Sequence, residues 1–323
     1  MASTLCRAAR LAIVGDVHDN WDPAIDARAL SVLQPDLVLF TGDFGDKNVE
    51  LVSEISSLNY PKAAILGNHD CWFPHGPACS RSVFDRDPIE AQLELLGKSH
   101  VGYSRLDFPR LNVSVVGGRP GSWGGSHMHH ATKKYFGASN MKQSSDLIAK
   151  AALGAPEDSF LLFLAHNGPT GLGSDPGDIC GKDWTSSGGD HGDQDLESAI
   201  SKVKKERKVP LVVFGHMHKE LQVREERRGP RKMIVVGEDK SVYLNAAVVP
   251  RVRDFSSTGP DQDSLESKFT RNWLDNESET PSERNFTLVE LENGELKKIS
   301  EVWVRVEETQ ASLEEQTILY PID

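Results

Sequence analysis

The chain has 323 residues, 38% of them apolar and 26% charged, which is ordinary for a globular protein and excludes disorder throughout. Lysine and arginine number 36 against 48 aspartates and glutamates, a formal net charge of −12. An acidic surface disfavours nucleic acid and anionic membranes as main partners, although bound cations can reverse the potential locally and attract an anionic substrate.

Cysteine usage and hydropathy predict a soluble intracellular protein. The four cysteines show no C-x-x-C spacing, which favours free thiols in a reducing compartment. No apolar stretch approaches the ~20 residues of a spanning helix, and the N-terminus lacks the core of a secretory signal. Residues 1–10 contain Arg, Ser and Thr without acids. The predicted location is therefore the cytoplasm, or the chloroplast stroma if a transit peptide has been removed.

The first two-thirds of the chain alternates predicted strands and helices. Asp22 and Pro23 are expected to cap and open the first helix, Asp46 to cap the second, and Asp87–Pro88 to open the third. Five continuous apolar runs have the length of strands buried on both faces, namely 11–14, 37–41, 63–66, 160–165 and 211–214. This alternation predicts an α/β fold.

The last third contains short strand candidates in succession. Runs 220–223, 232–236 and 241–244 are followed by 286–291, which turns at the hairpin signal Asn293-Gly294 into 296–306. This order predicts two packed mixed β-sheets flanked by helices, a four-layer sandwich.

The domain prediction is a single domain spanning 11–306. Within it, 254–283 shifts in composition to Ser, Asp, Glu, Thr and Pro, which predicts a mobile insertion loop without chemistry. Residues 307–323 are predicted only as a C-terminal tail.

Candidate metal ligands follow the five apolar runs, where an α/β fold aims side chains into the crevice beyond its strand ends. Carboxylate oxygens mixed with imidazoles suit manganese, iron or zinc. The pattern predicts a two-metal hydrolase, although each position alone could be a helix cap, a turn residue or a strand end. The blocks are Gly15-Asp16-Val17-His18, Gly42-Asp43, Gly67-Asn68-His69-Asp70, Ala165-His166 and Gly215-His216-Met217-His218.

In order and spacing, these blocks resemble the calcineurin-like metallophosphoesterase superfamily over roughly residues 11–250. The resemblance implies that Asp16, His18 and His218 hold one metal ion. It implies that Asn68, His166 and His216 hold the other, while Asp43 bridges both. The second block lacks the arginine of the serine/threonine phosphatase branch, which argues against phosphoprotein activity of that type. The chain looks closer to a cyanobacterial and plastid group.

The resemblance also implies a mechanism. Water shared by two divalent cations ~3.5 to 4 Å apart loses a proton near neutral pH, so a metal-bridging hydroxide is the expected nucleophile. His69 is expected to be the general acid, and its neighbour Asp70 could orient it. Asn68 is expected to contact substrate as well as metal. Arg119, after a strand-like run, is a candidate phosphate clamp, with a surface turn residue as the equally good alternative.

Two further segments are predicted near the site. His127, His129 and His130 are expected at the pocket rim, with an additional metal site as a weaker alternative. The segment 171–193 is rich in glycines and acids and should hang over the site, with a bland connector as the alternative. Its acids would disfavour highly anionic substrates.

The favoured function is hydrolysis of phosphomonoesters with two divalent or trivalent metal ions as cofactors. A phosphodiesterase or diphosphate hydrolase of the same fold is the enzymatic alternative, and a non-catalytic scaffold is the alternative from another class. The expected partner is a phosphorylated small molecule or peptide, without nucleic acid or a membrane span. The oligomeric state stays open.

Overall fold

The computed structural model describes residues 8–73, 87–222, 229–254 and 281–321. Strands and helices alternate in the first two-thirds of this part, as expected. The strands are β1 (Ala8–Val14), β2 (Leu37–Phe40), β3 (Lys62–Ala64), β4 (Arg105–Phe108), β5 (Val113–Gly117), β6 (Phe160–Leu164), β7 (Leu211–Phe214), β8 (Ile234–Val236), β9 (Val242–Asn245), β10 (Val252–Asp254), β11 (Ser282–Glu292), β12 (Glu295–Val306) and β13 (Ala311–Tyr320). The α-helices are α1 (Pro23–Leu33), α2 (Val49–Ser57), α3 (Asn68–Trp72), α4 (Pro88–Leu96), α5 (Thr132–Phe136), α6 (Met141–Leu153) and α7 (Gln194–Val203), and a 3₁₀ turn covers Gly97–Ser99.

The strands form two mixed sheets, which confirms the predicted architecture. The first sheet has the order β13-β12-β11-β1-β2-β3, with β10 paired to β11, and the second has the order β4-β5-β6-β7-β9-β8. Strands β1, β2 and β3 run parallel, as do β5, β6, β7 and β9. The carboxyl ends of these parallel strands carry the five predicted blocks.

Three apolar clusters hold four layers together. The inner faces of the two sheets meet in one cluster that includes Leu11, Leu39, Leu162 and Val213. The outer face of the first sheet packs on α1, α2 and α4, and that of the second packs on α6 and α7. The central strands are covered by the other sheet on one face and by helices on the other, so their sequences are continuous apolar runs.

Local signals account for several element boundaries. The Asp22 carboxylate accepts hydrogen bonds from the first-turn N–H groups of α1, and Pro88 opens α4 after the cap Asp87, as predicted. The hairpin at Asn293-Gly294 joins β11 to β12, with both residues at positive φ as a two-residue turn requires.

Two local expectations were wrong. The N-cap of α2 is Asn48, whose side chain accepts a hydrogen bond from the Leu51 N–H. Asp46 lies before the helix, and its carboxylate contacts His69 instead. Residues 220–222 form no strand, because Gln222 instead donates its backbone N–H to Asp183.

The C-terminal segment and the two ends of the proposed insertion also differ from the expectation. Residues predicted as a C-terminal tail include β13, which pairs antiparallel with β12 at the edge of the first sheet. The interior of the predicted insertion 254–283 lies outside the described residues, but its ends belong to β10 and β11, where Asp254 is paired with Ser282. Among the described helices, none has both the length and the hydropathy that a membrane crossing requires.

Candidate metal centre

All seven predicted ligands converge at the carboxyl ends of the parallel strands. Asp16 and His18 follow β1, Asp43 follows β2, and Asn68 begins α3 after β3. The remaining three ligands, His166, His216 and His218, come from the second sheet, after β6 and β7. The two packed sheets thus contribute to one centre, which the sequence order alone does not show.

Asp16, His18 and His218 form the first group of candidate ligands. Their ligand atoms lie within 4.8 Å of one another. The Nε2 atoms of His18 and His218 are 3.1 Å apart, and the His218 Nε2 is 3.6 Å from an Asp16 carboxylate oxygen. Two imidazole nitrogens aimed at one point beside a buried carboxylate form a donor set that fits a divalent cation.

Asp43, His166 and His216 form the second group, and their ligand atoms also lie within 4.8 Å of one another. The Nε2 of His166 is 3.3 Å from Asp43 and 2.8 Å from the Asn68 side-chain oxygen. The other Asp43 oxygen is 3.9 Å from the Nε2 of His18, a residue of the first group. Asp43 therefore faces both groups, as a bridging carboxylate would.

Hydrogen bonds behind the ligands fix their orientation. The His166 Nδ1 lies 2.8 Å from the Thr41 carbonyl, so this nitrogen donates its proton and leaves Nε2 free to bind. Asp16 accepts from the Thr41 hydroxyl at 3.1 Å and from the His216 backbone N–H at 2.9 Å. Such partners hold ligand atoms in place before any cation binds.

The backbone at the ligand turns is strained. His18, Asp43 and His216 have φ values of 43°, 49° and 67°, in the left-handed region that side chains rarely adopt. Two block glycines have a steric reason. A Cβ on Gly67 would lie 2.1 Å from an Asp43 oxygen, and one on Gly215 would lie 2.1 Å from Asp16. Each glycine thus makes room for a ligand from another block.

Burial and neighbouring charges shift the pKa values of the ligands. Burial lowers the pKa of His18 to about 4, although Asp43 opposes this shift, and burial with His166 lowers that of His216 well below its usual value. For His166, burial is outweighed by Asp43, which raises the pKa to about 10. The pKa of Asp43 is lowered despite burial, because His166 and other imidazoles surround it. His18, His216 and Asp43 are therefore already in the neutral or ionised forms that bind cations, whereas His166 has to release a proton when a cation binds.

His69 lies beside this centre and is held by a residue that the sequence reading assigned to a helix cap. Its Nδ1 is 2.6 Å from the Asp46 carboxylate, and its ring stacks on Phe73 with centroids 3.7 Å apart. The His69 backbone N–H donates to Asp43 at 2.9 Å. The spacing Asp43-x-x-Asp46 was visible in the sequence, but only the turn geometry brings the second carboxylate to the imidazole.

Asp70 is not the partner of His69, which corrects the sequence expectation. Its carboxylate is fully buried and accepts from the backbone N–H groups of Phe44 at 2.8 Å and Gly67 at 2.7 Å. Burial and the Asp43 charge raise its pKa to about 8. Asp70 therefore joins the second block to the third and supports the site from behind.

The structure also contradicts Arg119 as a phosphate clamp. The side chain is 2% exposed, and its guanidinium contacts Asp193 at 2.7 Å, Asp195 at 3.0 Å and the His127 carbonyl at 2.6 Å. These contacts engage the guanidinium with protein groups and leave it unavailable to a phosphate. Arg119 instead joins the turn after β5 to the start of α7.

The glycine-rich segment 171–193 lies over the site, as predicted. Asp183, Trp184 and His191 from this segment line a cleft of about 540 Å³ that also contains Asp43 and His216. His127 lines the same cleft. In the described part of the chain, the three residues His127, His129 and His130 are not among the clusters that could hold a metal ion.

Arg231 fixes the overlying segment. Its guanidinium donates to the carbonyls of Pro176, Asp178 and Gly181, lies 3.3 Å from Asp183, and donates to the His218 carbonyl through Nε. Sequence reasoning missed this residue because one arginine among several neighbouring basic residues carries no local signal. Its position links the cleft wall to the fifth block.

The family model of the calcineurin-like phosphoesterases matches residues 9–220, which is more than half of the chain. The chain belongs to this family. It is thus a phosphoesterase, and its Asp and His clusters are those of a metal-dependent hydrolase.

Two solved structures that match the chain are distant in sequence and have low TM-scores. A dimetal phosphatase from Danio rerio is 10% identical, with a TM-score of 0.39, and the match covers 94% of this chain and 98% of that one. A conserved uncharacterized protein, described as a predicted phosphoesterase, from Streptococcus pneumoniae is 10% identical, with a TM-score of 0.32 and coverage of 96% and 98%. Among curated proteins, none matches significantly. The family assignment therefore rests on the sequence model.

Proposed function

We propose that this phosphoesterase hydrolyses phosphate monoesters at a centre of two metal ions. Asp16, His18 and His218 would hold one ion, and Asn68, His166 and His216 the other, with Asp43 shared. The observation that carries the proposal is the convergence of these seven side chains on two adjacent points that Asp43 faces together. Manganese, iron and zinc all suit this mixture of oxygen and nitrogen ligands.

When bound, two such cations supply the positive charge that attracts a phosphoryl group and activates water as the nucleophile. His69 would donate a proton to the leaving oxygen, since its ring lies 4.8 Å from that of His18, at the edge of the centre. Asp46 would act as a positioning residue, because its bond to Nδ1 leaves Nε2 as the nitrogen of His69 that can donate to substrate in the cleft that this residue lines. Asn68 would both bind metal and contact the phosphoryl oxygens.

A single phosphoryl group suits the cleft better than a diphosphate. Among the described residues that line the cleft, Arg231 is the one arginine, and no lysine is present. Its guanidinium already donates to backbone carbonyls and pairs with Asp183. A second phosphate group would lie near the acidic residues Asp183 and Glu220, and no arginine would be available to bind it. The monoester is therefore favoured over the diphosphate hydrolase alternative.

The test combines metal analysis with matched substrates. Purified protein is assayed with manganese and p-nitrophenyl phosphate, bis-p-nitrophenyl phosphate or inorganic diphosphate, and its metal content is measured by mass spectrometry. We expect about two metal ions per chain and fastest turnover of the monoester. The double variant Asp43→Asn, His216→Ala should lose both metal and activity.

His130→Ala is the matched control, because this exposed histidine lies outside the described metal clusters. Its metal content should equal that of the unaltered protein. Faster turnover of the diester would replace the monoester assignment by a phosphodiesterase. Metal binding without hydrolysis of any ester would favour the scaffold alternative, and activity that persists in the double variant would overturn the proposed centre.

A further inference from the structure

Two rows of rings extend from the metal centre along the cleft. The first row starts at His69 and continues through Phe73, stacked at 3.7 Å between centroids, to Trp123 at 5.5 Å from Phe73. The second row starts at His216 and continues through His191, stacked at 5.9 Å, to Trp184 at 4.8 Å from His191. We call these the two aromatic rows, and residues of both line the same cleft.

Each aromatic row ends in an exposed tryptophan. Trp123 is 36% exposed and Trp184 is 43% exposed. In the described part of the chain, these are the two aromatic side chains among the exposed large hydrophobic residues, and both lie at this cleft. Both indoles keep more than a third of their surface exposed on the wall of one cleft, and this shared apolar surface points to a ligand that covers it.

The charge of the cleft limits what that ligand can be. Asp183 and Glu220 line the cleft, and the guanidinium of Arg231 is already occupied by protein carbonyls and by Asp183. An organic group with additional negative charge would therefore be repelled. Planar rings without charge suit the aromatic rows, because ring faces attract one another by offset or edge-to-face contacts.

We propose that the substrate is a phosphate monoester whose organic group carries a planar aromatic ring, held between Trp123 and Trp184 while its phosphoryl group occupies the metal centre. This inference rests on the proposed function and specifies its substrate class. A nucleobase and a phenyl ring are two sources of the same chemistry. Stacking on an indole strengthens binding by roughly 10-fold or more per ring.

The first experiment compares two pairs of esters, all formed from primary alcohols. In AMP the C1 atom of the ribose carries adenine, where ribose 5-phosphate has a hydroxyl group, and benzyl phosphate and cyclohexylmethyl phosphate differ in the aromaticity of one ring. We expect kcat/KM to be at least about 10-fold higher for the aromatic member of each pair, mainly through KM. If AMP alone gains, the ring is a nucleobase, and if benzyl phosphate gains equally, the site accepts aromatic rings in general.

The variants Trp123→Leu and Trp184→Leu should each reduce the preference for AMP over ribose 5-phosphate by about 10-fold. Trp184→Phe should restore most of it, because phenylalanine keeps a ring face. Leu153→Ser removes exposed apolar surface at the end of α6, outside the lining of this cleft, and should leave the preference unchanged. Equal kcat/KM values within both substrate pairs in the unaltered protein would overturn the inference.

Calorimetry separates this inference from the proposed function. AMP and ribose 5-phosphate are titrated into the manganese-loaded protein at low temperature, and dissociation constants are compared. Tighter binding of AMP, lost in Trp184→Leu, supports the aromatic rows even if no ester is hydrolysed. Hydrolysis of both esters with equal dissociation constants would leave the proposed function intact and contradict the aromatic preference.

Discussion

The ring of His69 has two contacts that fix its orientation, a carboxylate at Nδ1 and an aromatic face. Asp46 supplies the first at 2.6 Å and Phe73 the second. A general acid matters most when the leaving oxygen is a poor leaving group, because that oxygen then needs a proton in the transition state. The role of His69 can therefore be tested by varying the leaving group alone.

We expect His69→Asn to lower kcat for an alkyl phosphate by roughly 10²- to 10⁴-fold and for p-nitrophenyl phosphate by much less. Asp46→Asn should lower the alkyl value by roughly 10- to 100-fold with the same selectivity, because it loosens the ring without removing it. Asp70→Asn is the comparison, since Asp70 contacts backbone N–H groups rather than the ring. Equal losses with both substrates would argue against proton donation by His69.

A second residue-scale prediction concerns His100, which lies outside the metal centre. Burial lowers its pKa from 6.5 to about 4, and its Nε2 has no hydrogen-bond partner. Above pH 6.5, His100 is neutral in both the folded and the unfolded chain, so its protonation takes nothing from the free energy of unfolding. Between pH 6.5 and 4 only the unfolded chain takes up the proton, so acid favours unfolding.

The pKa difference of His100 between the folded and the unfolded chain lowers the free energy of unfolding by up to about 3 kcal/mol at pH 4. Urea denaturation of the unaltered protein and of His100→Gln, from pH 7.5 to 4, measures it. The free energy of unfolding should fall less steeply with acid in the variant. Parallel curves for the two proteins would show that His100 does not contribute.

At the scale of elements, one buried ion-pair group connects three segments that belong to the second sheet and its two helices, α6 and α7. Arg119, from the turn after β5, binds Asp193 and Asp195 at the start of α7, and Asp195 also accepts from the Ser144 hydroxyl of α6. Burial raises the pKa of Asp193 to about 7, although Arg119 opposes this shift. Removing the arginine would leave two buried carboxylates without their cation.

We therefore expect Arg119→Met to reduce the free energy of unfolding by about 3 to 5 kcal/mol. Adding Asp193→Asn and Asp195→Asn should recover part of this loss, because the buried charges are removed together. Urea denaturation and steady-state kinetics provide the measurements. An increased KM with unchanged stability would instead restore the phosphate-clamp hypothesis.

At the scale of the whole molecule, the two sheets and their helices form a frame that the predicted insertion does not interrupt. The segment leaves the first sheet after β10 and returns at β11, and these strands are paired from Val252 with Arg284 to Asp254 with Ser282. Since the two ends already lie opposite each other, a short turn can join them.

Replacing residues 256–280 by a short Asn-Gly turn should leave the fold intact, with a melting temperature within a few degrees of the original. We also expect kcat/KM for p-nitrophenyl phosphate to change by less than about threefold. Thermal denaturation and kinetics check both values. A large loss of activity with normal stability would mean that this segment contributes to the site.

The sequence by itself determined the fold class and pointed to seven candidate ligand positions, whose side chains lie together in the structure. Buried parallel strands must be apolar on both faces, and the ligand must follow directly at each strand end, so both features are written in short contiguous blocks. The helix caps Asp22 and Asp87 and the Asn293-Gly294 turn were predictable for the same reason, because their signals are local.

Only the tertiary structure decided which side chains meet. The partner of His69 is Asp46 rather than Asp70, and Arg119 turns inward to two acids that lie more than seventy residues later in the chain. The aromatic rows likewise join rings from separate segments. Such contacts depend on backbone turns at positive φ and on the packing of two sheets, which no local spacing of residues specifies.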